Sequence, residues 1–297
     1  MCELIGSKEF EHLSDRLKND FIEIWNEINQ NKIPENKITI SSGIGDILLN
    51  KLAIINLKFL ENTNIFYNAS HLFDYKPFPD NITNLIFNYK LLKKLFEDKI
   101  IIYYDKNYKL LNHYTDNFDK IYNYDLSNYF NLEKVYNFEY LVFHTKVRFS
   151  KNDDQLINIM KEKMRLFFKN YQCSIPIIVL GEREIAKNFE SNIINMTTIY
   201  EEIMLCKDNN IIIDLTHELL YNTPTIENFE KDISIIHNAK VNIGVGHGGQ
   251  FCFNLCFSKN SIYYAPPRLI NFKINKKKFV IYNDIDIFLK KISQQIM

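Results

Sequence analysis

An aspartate follows two glycines in the turn Gly43-Ile44-Gly45-Asp46, which joins an apolar strand to a helix. A dinucleotide-binding turn would carry a third glycine at the position of Leu48. Gly43 and Gly45 let the backbone approach a ligand closely, and a carboxylate beside them can take a proton from a reacting hydroxyl. The pattern therefore predicts either a catalytic base at Asp46 or an N-cap of the following helix, a role that Asp fills well.

A second turn is richer in glycine and lies between a strand that ends at Val245 and another helix. Residues 244–250 read GVGHGGQ and hold four of the eight glycines in the chain. So dense a cluster in a glycine-poor chain indicates a helix N-terminus whose bare amides hold a pyrophosphate, and a tight turn without a ligand is the alternative. The candidate ligand-binding residues of this turn are His247, Gly248, Gly249 and Gln250.

Charged residues follow three further strands, and ligands of open α/β sheets bind beyond the carboxyl ends of the strands. Lys146 and Arg148 follow the strand 140–144, where Arg can bind a phosphate bidentately and Lys acts as a point charge. A solvated charge run is the alternative reading of that pair. Glu182, Arg183 and Glu184 follow the next strand, either as ligand contacts or as the solvated first turn of a helix. Asp214 to Glu218 end a further strand and give a weak signal, either for a contact with a base or ribose or for a cap.

The elements that must position these residues alternate between strand and helix. An amphipathic helix is predicted over 8–30, a helix from Ile47 to Leu60, a helix that begins within 183–190, and a terminal helix over 284–296 that Asp284 caps. Alternating strands and helices indicate βαβ units with parallel sheets. They fall into two blocks, which predicts two Rossmann-like domains, 1–138 and 139–297, with the terminal helix as an element that could pack on the first. Within 105–137 only a short strand near 120–122 is predicted.

Composition and charge exclude several classes of function. Lys and Arg total 36, as do Asp and Glu, which argues against a general nucleic-acid binder. Five cysteines without a Cys-x-x-Cys pair predict neither a disulfide framework nor a metal site. No apolar run approaches the length of a membrane span, and the polar first thirty residues are unlike a signal peptide. The expected location is cytoplasmic; the amino-acid bias is similar to that of AT-rich bacteria and giant viruses, so the cell could also be a virus-infected host.

The turns together resemble those of GT-B glycosyltransferases, and most of all the ADP-heptose heptosyltransferase group. The first turn, GIGDILL, is similar to the family turn whose Asp is the catalytic base, here Asp46. The family Lys that faces the donor phosphates corresponds to Lys146 or alternatively Arg148, and its sugar- or ribose-binding Glu to Glu182 or Glu184. The late family pattern A-x-x-x-I-x-x-D-[ST]-G departs here, because Gly246 stands at the position of its Asp.

This resemblance implies a fold and an activity. The fold would be α/β, with two Rossmann-like domains that face a central cleft. The activity would be glycosyl transfer in glycan biosynthesis from a nucleotide-sugar donor to an acceptor hydroxyl, inverting and metal-independent, with no cofactor besides the donor substrate. The donor would lie on the second domain and the acceptor beside Gly43, Gly45 and Asp46 on the first. A sugar-nucleotide epimerase of the same fold and a non-catalytic module that binds a glycan or a nucleotide are the alternatives.

Overall fold

A computed structural model describes the chain at residues 5, 7–32, 39–40, 43–56, 64–70, 80–105, 126–150, 153–185, 194–246, 249–265 and 279–294. Its contacts divide into two compact units, Met1–Asn117 with Pro224–Ile226, and Phe118–Thr223 with Glu227–Met297. Within the described part of the chain, none of the helices combines the length and the apolar character that crossing a membrane requires.

The first unit contains a parallel three-stranded sheet in the order β1-β2-β3. The strands are β1 (Thr39–Ile40), β2 (Ile65–Asn68) and β3 (Ile100–Tyr103). The helices are α1 (Lys8–Glu11), α2 (Asp15–Gln30), α3 (Ile44–Asn56) and α4 (Asp80–Phe96). Because α3 connects β1 to β2 and α4 connects β2 to β3, this unit consists of successive βαβ crossovers.

Helix α2 packs on α4 and β3 through one apolar stripe. The buried members of the stripe are Phe21, Ile24, Trp25 and Ile28, at the spacing of one helix face. This buried face is the one expected of the amphipathic helix that the sequence predicts. The single helix predicted over 8–30 is wrong, because α1 ends at Glu11 and α2 begins anew after Ser14, whose hydroxyl accepts a hydrogen bond from the Leu17 amide.

The second unit is built on a six-stranded parallel sheet in the order β8-β6-β4-β9-β10-β11. Its strands are β4 (Leu141–His144), β6 (Ile177–Leu180), β8 (Ile212–Asp214), β9 (Val241–Val245), β10 (Ser261–Tyr264) and β11 (Phe279–Tyr282). Numbered along the chain within this sheet, the order is 3-2-1-4-5-6, which is that of the doubly wound Rossmann fold. The strand order reverses between β4 and β9, so the topological switch point lies there.

Helices cover both faces of this sheet. They are α5 (Asp154–Lys169), α6 (Tyr200–Met204), α7 (Ile226–Asn238), α8 (Gly249–Phe257) and α9 (Ile285–Gln294). Helices α5, α6 and α9 share one hydrophobic core with Leu141 and Phe143 of β4. On the opposite face, Phe229 of α7 packs edge-to-face against Phe253 and Phe257 of α8. The four central strands, β4, β6, β9 and β10, are thus buried on both sides, which explains their nearly unbroken apolar sequences.

A two-stranded antiparallel ribbon, β5 (Lys146–Ser150) with β7 (Ile194–Thr198), follows the end of β4. Val147 and Phe149 are buried in the core, so the alternating side chains of Lys146 and Arg148 leave β5 on the other side. The sequence predicted no strand here, only two cations that either face a phosphate or form a solvated charge run. The helix predicted within 183–190 does not begin at 183–185, where 183 and 184 form bends. Residues 186–190 lie outside the described residues, as does the strand predicted near 120–122.

The terminal helix α9 is capped as the sequence predicts. The Asp284 carboxylate accepts hydrogen bonds from the amides of Asp286 at 2.8 Å and Ile287 at 3.1 Å. Phe288 and Ile292 of α9 are buried in the core of the second unit. The helix therefore packs on the six-stranded sheet, whereas the sequence had raised packing on the first unit.

The division between the units differs from the boundary expected near residue 138. Residues 126–140 pack on the second unit: the Leu126 amide bonds to the Cys256 carbonyl at 3.0 Å, and the Phe130 ring contacts Phe229 and Phe257. This segment is an extended, Tyr- and Asn-rich stretch without helical or strand periodicity, so its attachment could not be read from a pattern.

Gly244 of β9 allows a close approach that an added methyl group would prevent. A Cβ at Gly244 would lie 2.4 Å from the Tyr263 ring, which is held by Phe251 and Phe279. We expect Gly244→Ala to lower the free energy of unfolding by about 1–3 kcal/mol and the melting temperature by several degrees, because an overpacked core cannot relax. Gly43→Ala is the matched control, since nothing lies within 4 Å of a Cβ there. Equal losses in thermal melts of the two variants would contradict the packing argument.

Candidate functional site

Three turns at the carboxyl edge of the six-stranded sheet are bonded to one another. The Thr145 hydroxyl, fully buried after β4, accepts a hydrogen bond from the Glu182 amide at 2.8 Å. After β8, the His217 amide donates to the Gly181 carbonyl at 2.9 Å, and His217 Nε2 accepts from the Arg183 amide at 2.9 Å. The turns after β4, β6 and β8 therefore form one hydrogen-bonded edge, as a rigid ligand site requires.

Lys146 and Glu182 form an ion pair at this edge. Lys146 Nζ lies 2.6 Å from Glu182 Oε1, with the two side chains 27% and 12% exposed. The Lys146 ammonium also lies 5.7 Å from the centre of the Tyr221 ring, a cation–π distance. Lys146 is thus held by a carboxylate and an aromatic ring.

Arg183 and Asp214 form a second ion pair beside the first. Arg183 Nη2 lies 3.1 Å from Asp214 Oδ2, and Arg183 Nε donates to the Thr216 hydroxyl at 2.8 Å. Tyr200 donates its hydroxyl to Asp214 Oδ2 at 2.8 Å. Burial alone would raise the pKa of Asp214, but hydrogen bonds from Thr216 and Tyr200 and the charge of Arg183 outweigh it and lower that pKa. Asp214 is therefore an ionised anchor for Arg183.

Arg148 differs from the other two cations of this edge. It is half-buried, and within the described part of the chain no ion pair, side-chain hydrogen bond or ring contact involves its guanidinium. Its backbone lies against the turn that follows β9: a Cβ at Gly246 would be 2.9 Å from the Arg148 carbonyl oxygen. Gly246 has φ +72°, a conformation that favours glycine. The backbone of β5 thus passes directly against Gly246 at the switch point, on the side where the Val147 side chain lies.

The glycine turn leads directly into α8. Helix α8 begins at Gly249, so the amides of its first turn lie at the carboxyl edge, next to the switch point. Gln250 is the second residue of α8. Two of the predicted ligand-binding residues, His247 and Gly248, lie outside the described residues, and so does the side chain of Gln250.

His144, at the end of β4, is a core residue. It is 2% exposed, and its Nε2 lies 2.8 Å from Asn254 Nδ2 of α8. Burial lowers the pKa of His144 to about 4, against the opposing effect of the nearby Asn242 and Asn254 amides, so the imidazole is neutral at neutral pH. His144 ties β4 to α8 and so holds the start of that helix beside the switch point.

Asp46 lies in the first turn of α3, in the first unit. Helix α3 begins at Ile44, so Asp46 is its third residue and does not occupy the N-cap position. None of the hydrogen bonds or ion pairs among the described residues reaches its half-buried carboxylate. Burial of the Tyr67 side chain raises the pKa of that tyrosine, and the charge of Asp46 raises it further. Gly43 precedes the helix, and its carbonyl oxygen accepts a hydrogen bond from the Asp46 amide at 3.0 Å. Gly45 lies within the helix.

The structure adds residues that the sequence did not single out and leaves one predicted residue apart. Tyr200, Tyr221 and Thr145 contact the charged residues of the edge, but in a chain rich in tyrosine no signal distinguished them. Glu184 is exposed, and no contact links it to the other charged residues among those described. Across the described residues, no group of three or more His, Cys, Asp or Glu is arranged to hold a metal ion.

Comparisons of the chain with protein-family models, with curated proteins and with solved structures gave no match.

The loop after β8 is held by a buried acid. His217 and Leu219 adopt left-handed conformations, with φ of 61° and 53°, which non-glycine residues seldom do. Leu220 lies between Leu219 and Tyr221, and its amide donates a hydrogen bond to Asp232 Oδ2 at 3.3 Å. Burial raises the pKa of Asp232 to about 7, although the Leu220 amide opposes the shift. The loop that carries Tyr221 is therefore bonded to a carboxyl group of α7, that of Asp232, whose protonation changes near neutral pH.

This pKa predicts a pH-dependent stability. The native state binds the Asp232 proton more tightly than the unfolded chain, so its contribution to stability falls as pH rises from about 4 to about 7. Asp232→Asn keeps an acceptor for Leu220 and removes the ionisation. We expect it to raise the melting temperature more at pH 8 than at pH 5, as differential scanning fluorimetry would measure. The exposed Asp208→Asn is the control; an Asp232→Asn effect that is the same at both pH values would refute the assignment.

Proposed function

We propose that the protein is a glycosyltransferase of GT-B architecture that moves a sugar from a nucleotide-sugar donor to an acceptor hydroxyl. The observation that carries the proposal is the coincidence of two features at one switch point. The turn that leads into α8 and the strand β5, which carries Lys146 and Arg148, meet where the strand order of the sheet reverses. Crevices at such points bind nucleotides in doubly wound folds.

The donor would lie along the carboxyl edge of the second unit. Its pyrophosphate would meet the first amides of α8, where the helix dipole favours negative charge. Its hydroxyl-bearing ribose or sugar would extend toward Glu182, whose carboxylate can accept hydrogen bonds from hydroxyl groups. Positive charge and amides at the diphosphate would stabilise the departing nucleoside diphosphate, which is the task that a metal ion performs in other enzymes.

The acceptor would lie beside the turn Gly43-Ile44-Gly45-Asp46 of the first unit. Asp46 supports this role because its carboxylate is half-buried and is engaged by no hydrogen bond among the described residues. A base must have a free oxygen to take the proton of the attacking hydroxyl. The assigned reaction is an inverting displacement in which the acceptor oxygen attacks the anomeric carbon, the bond to the diphosphate breaks, and the hydroxyl proton goes to Asp46.

Nucleotide binding tests the donor half of the proposal. We expect at least one of the UDP-, GDP-, ADP- and CMP-sugars to raise the melting temperature by several degrees, because a ligand at about a hundred times its dissociation constant stabilises the native state by about 2.7 kcal/mol. A protein that none of the four classes stabilises does not use a nucleotide-sugar donor. Stabilisation without transfer to any acceptor favours the nucleotide-binding module, and a new nucleotide sugar formed without an acceptor favours an epimerase.

Replacing Asp46 tests the catalytic half. Asp46→Asn should lower the release of nucleoside diphosphate, with mono- and disaccharides as acceptors, by about 10²- to 10⁴-fold, since an amide cannot take the proton. Nucleotide affinity should not change. Asp80→Asn is the matched control, because Asp80 also lies in a first helical turn, and Asn84 bonds to its carbonyl as Asn50 does to that of Asp46. If Asp46→Asn kept near-wild-type turnover, Asp46 would not be the catalytic base, and its role would be limited to the first turn of α3.

A further inference from the structure

His217 holds the backbone of Glu182 from both sides. The peptide group before Glu182 is fixed at its two ends: its N–H donates to the Thr145 hydroxyl at 2.8 Å, and its carbonyl, that of Gly181, accepts from the His217 amide at 2.9 Å. The peptide group after Glu182 is fixed in the same way. Its carbonyl accepts from the Thr145 hydroxyl at 2.7 Å, and its N–H, that of Arg183, donates to His217 Nε2 at 2.9 Å. His217 thus provides one bond to each of the two peptide planes that set φ and ψ of Glu182.

The imidazole of His217 makes its bond in one protonation state only. A main-chain N–H is a donor, so Nε2 carries no proton, and the neutral ring then has its proton on Nδ1. In the imidazolium both nitrogens carry protons, and the bond to Arg183 is lost. His217 is exposed to solvent, and histidine side chains take up a proton between about pH 8 and pH 5. The other bonds that hold the two peptide groups join hydroxyl and main-chain groups, which keep their protons over this range.

The ionisable groups around His217 lie on three elements, namely the turn after β6, its own loop and α7. They are Glu182, Arg183, Glu218, Tyr221 and Asp232. The first two are held in ion pairs with Lys146 and Asp214. The Tyr221 ring lies edge-to-face against the imidazole at 6.3 Å, and Asp232 binds the Leu220 amide. Within the described part of the chain no carboxylate is hydrogen-bonded to the imidazole, so no ion pair replaces the bond that protonation breaks.

We infer that His217 is a positioning residue for Glu182 and that its neutral form is required for full ligand affinity at this edge. The inference rests on the proposed function, in which the Glu182 carboxylate accepts hydrogen bonds from hydroxyl groups of the ligand. Such a carboxylate is effective only when its own backbone is fixed. The left-handed conformation of His217, with φ of 61°, supports this role, because strain of this kind persists where the surrounding structure requires it. Ligand affinity should therefore fall as the pH is lowered and the imidazole gains a proton.

Two substitutions of His217 separate the loss of the acceptor from its protonation. Isothermal titration calorimetry at pH 8 and pH 5.5 would use UDP-glucose, GDP-mannose and ADP-glucose as probes. His217→Ala should weaken binding about 3- to 10-fold at pH 8, the effect of one hydrogen bond. His217→Gln keeps a side-chain acceptor that does not titrate. It should match the wild type at pH 8 and bind about 3- to 10-fold more tightly than the wild type at pH 5.5.

The controls remove other sources of pH dependence. Protonation of the nucleotide affects all variants alike, so affinities are compared at each pH. His12→Gln should change neither affinity, because His12 is exposed at the end of α1 and its imidazole has no hydrogen bond among the described residues. In Asp232→Asn, which removes the other group that titrates near neutral pH, the loss at pH 5.5 should persist. Thermal melts without ligand show whether each variant is folded at both pH values.

Long-range ¹H–¹⁵N NMR spectra of the ligand-free wild type at pH 8 give a second, independent readout and should show the His217 proton on Nδ1. Three results would each overturn the inference and leave the proposed function standing: a proton on Nε2, a His217→Ala affinity equal to that of the wild type, or a ratio of wild-type to His217→Gln affinity that is the same at both pH values. A wild-type protein that binds none of the nucleotide sugars at either pH would overturn both.

Discussion

The close approach of the β9 turn to the β5 backbone is the constraint on which the carboxyl edge of the second unit depends. Gly246 lies where a methyl group would come within 2.9 Å of the Arg148 carbonyl oxygen, and its φ of +72° directs the chain into α8. Without a glycine here, the turn could not pass β5, and α8 could not begin beside the switch point. The same contact seats the backbone of β5 against the turn, with the Val147 side chain 3.3 Å from the position of that methyl group.

The remaining polar groups hold this geometry in place. His144 ties β4 to α8 from within the core and stays neutral because it is buried. Thr145 and His217 bond the turns after β4, β6 and β8 to one another. Two ion pairs, Lys146 with Glu182 and Arg183 with Asp214, then balance charge along the edge. An edge of this kind presents paired charges at the turns that follow β6 and β8.

Much of the second unit could be predicted from the sequence, because strands buried on both faces of a parallel sheet are short apolar runs. The strands β4, β6 and β9 and the charged or glycine-rich turns after them follow from such runs. The ion pair of Lys146 with Glu182 joins residues that are 36 positions apart, and only the order of the strands brings them together. Strand β5 was missed because its alternation of Lys146, Val147, Arg148 and Phe149 resembles a solvated charge run.

The first unit was predicted less completely for a physical reason. Helix α3 begins at Ile44, three residues before its predicted start, because glycine and acid are tolerated in a first turn where amides have no partners within the helix. A pattern of apolar residues begins only where the helix face becomes buried, at Ile47. The position of Asp46 inside the helix, and not before it, could therefore be seen only in the structure.

A crystal structure of the protein with a bound nucleoside diphosphate would test the central claim most directly, namely that the switch point of the second unit is a diphosphate site. We predict that the diphosphate contacts the first amides of α8. A diphosphate bound at the turn Gly43-Ile44-Gly45-Asp46, or anywhere else away from the switch point, would contradict the account.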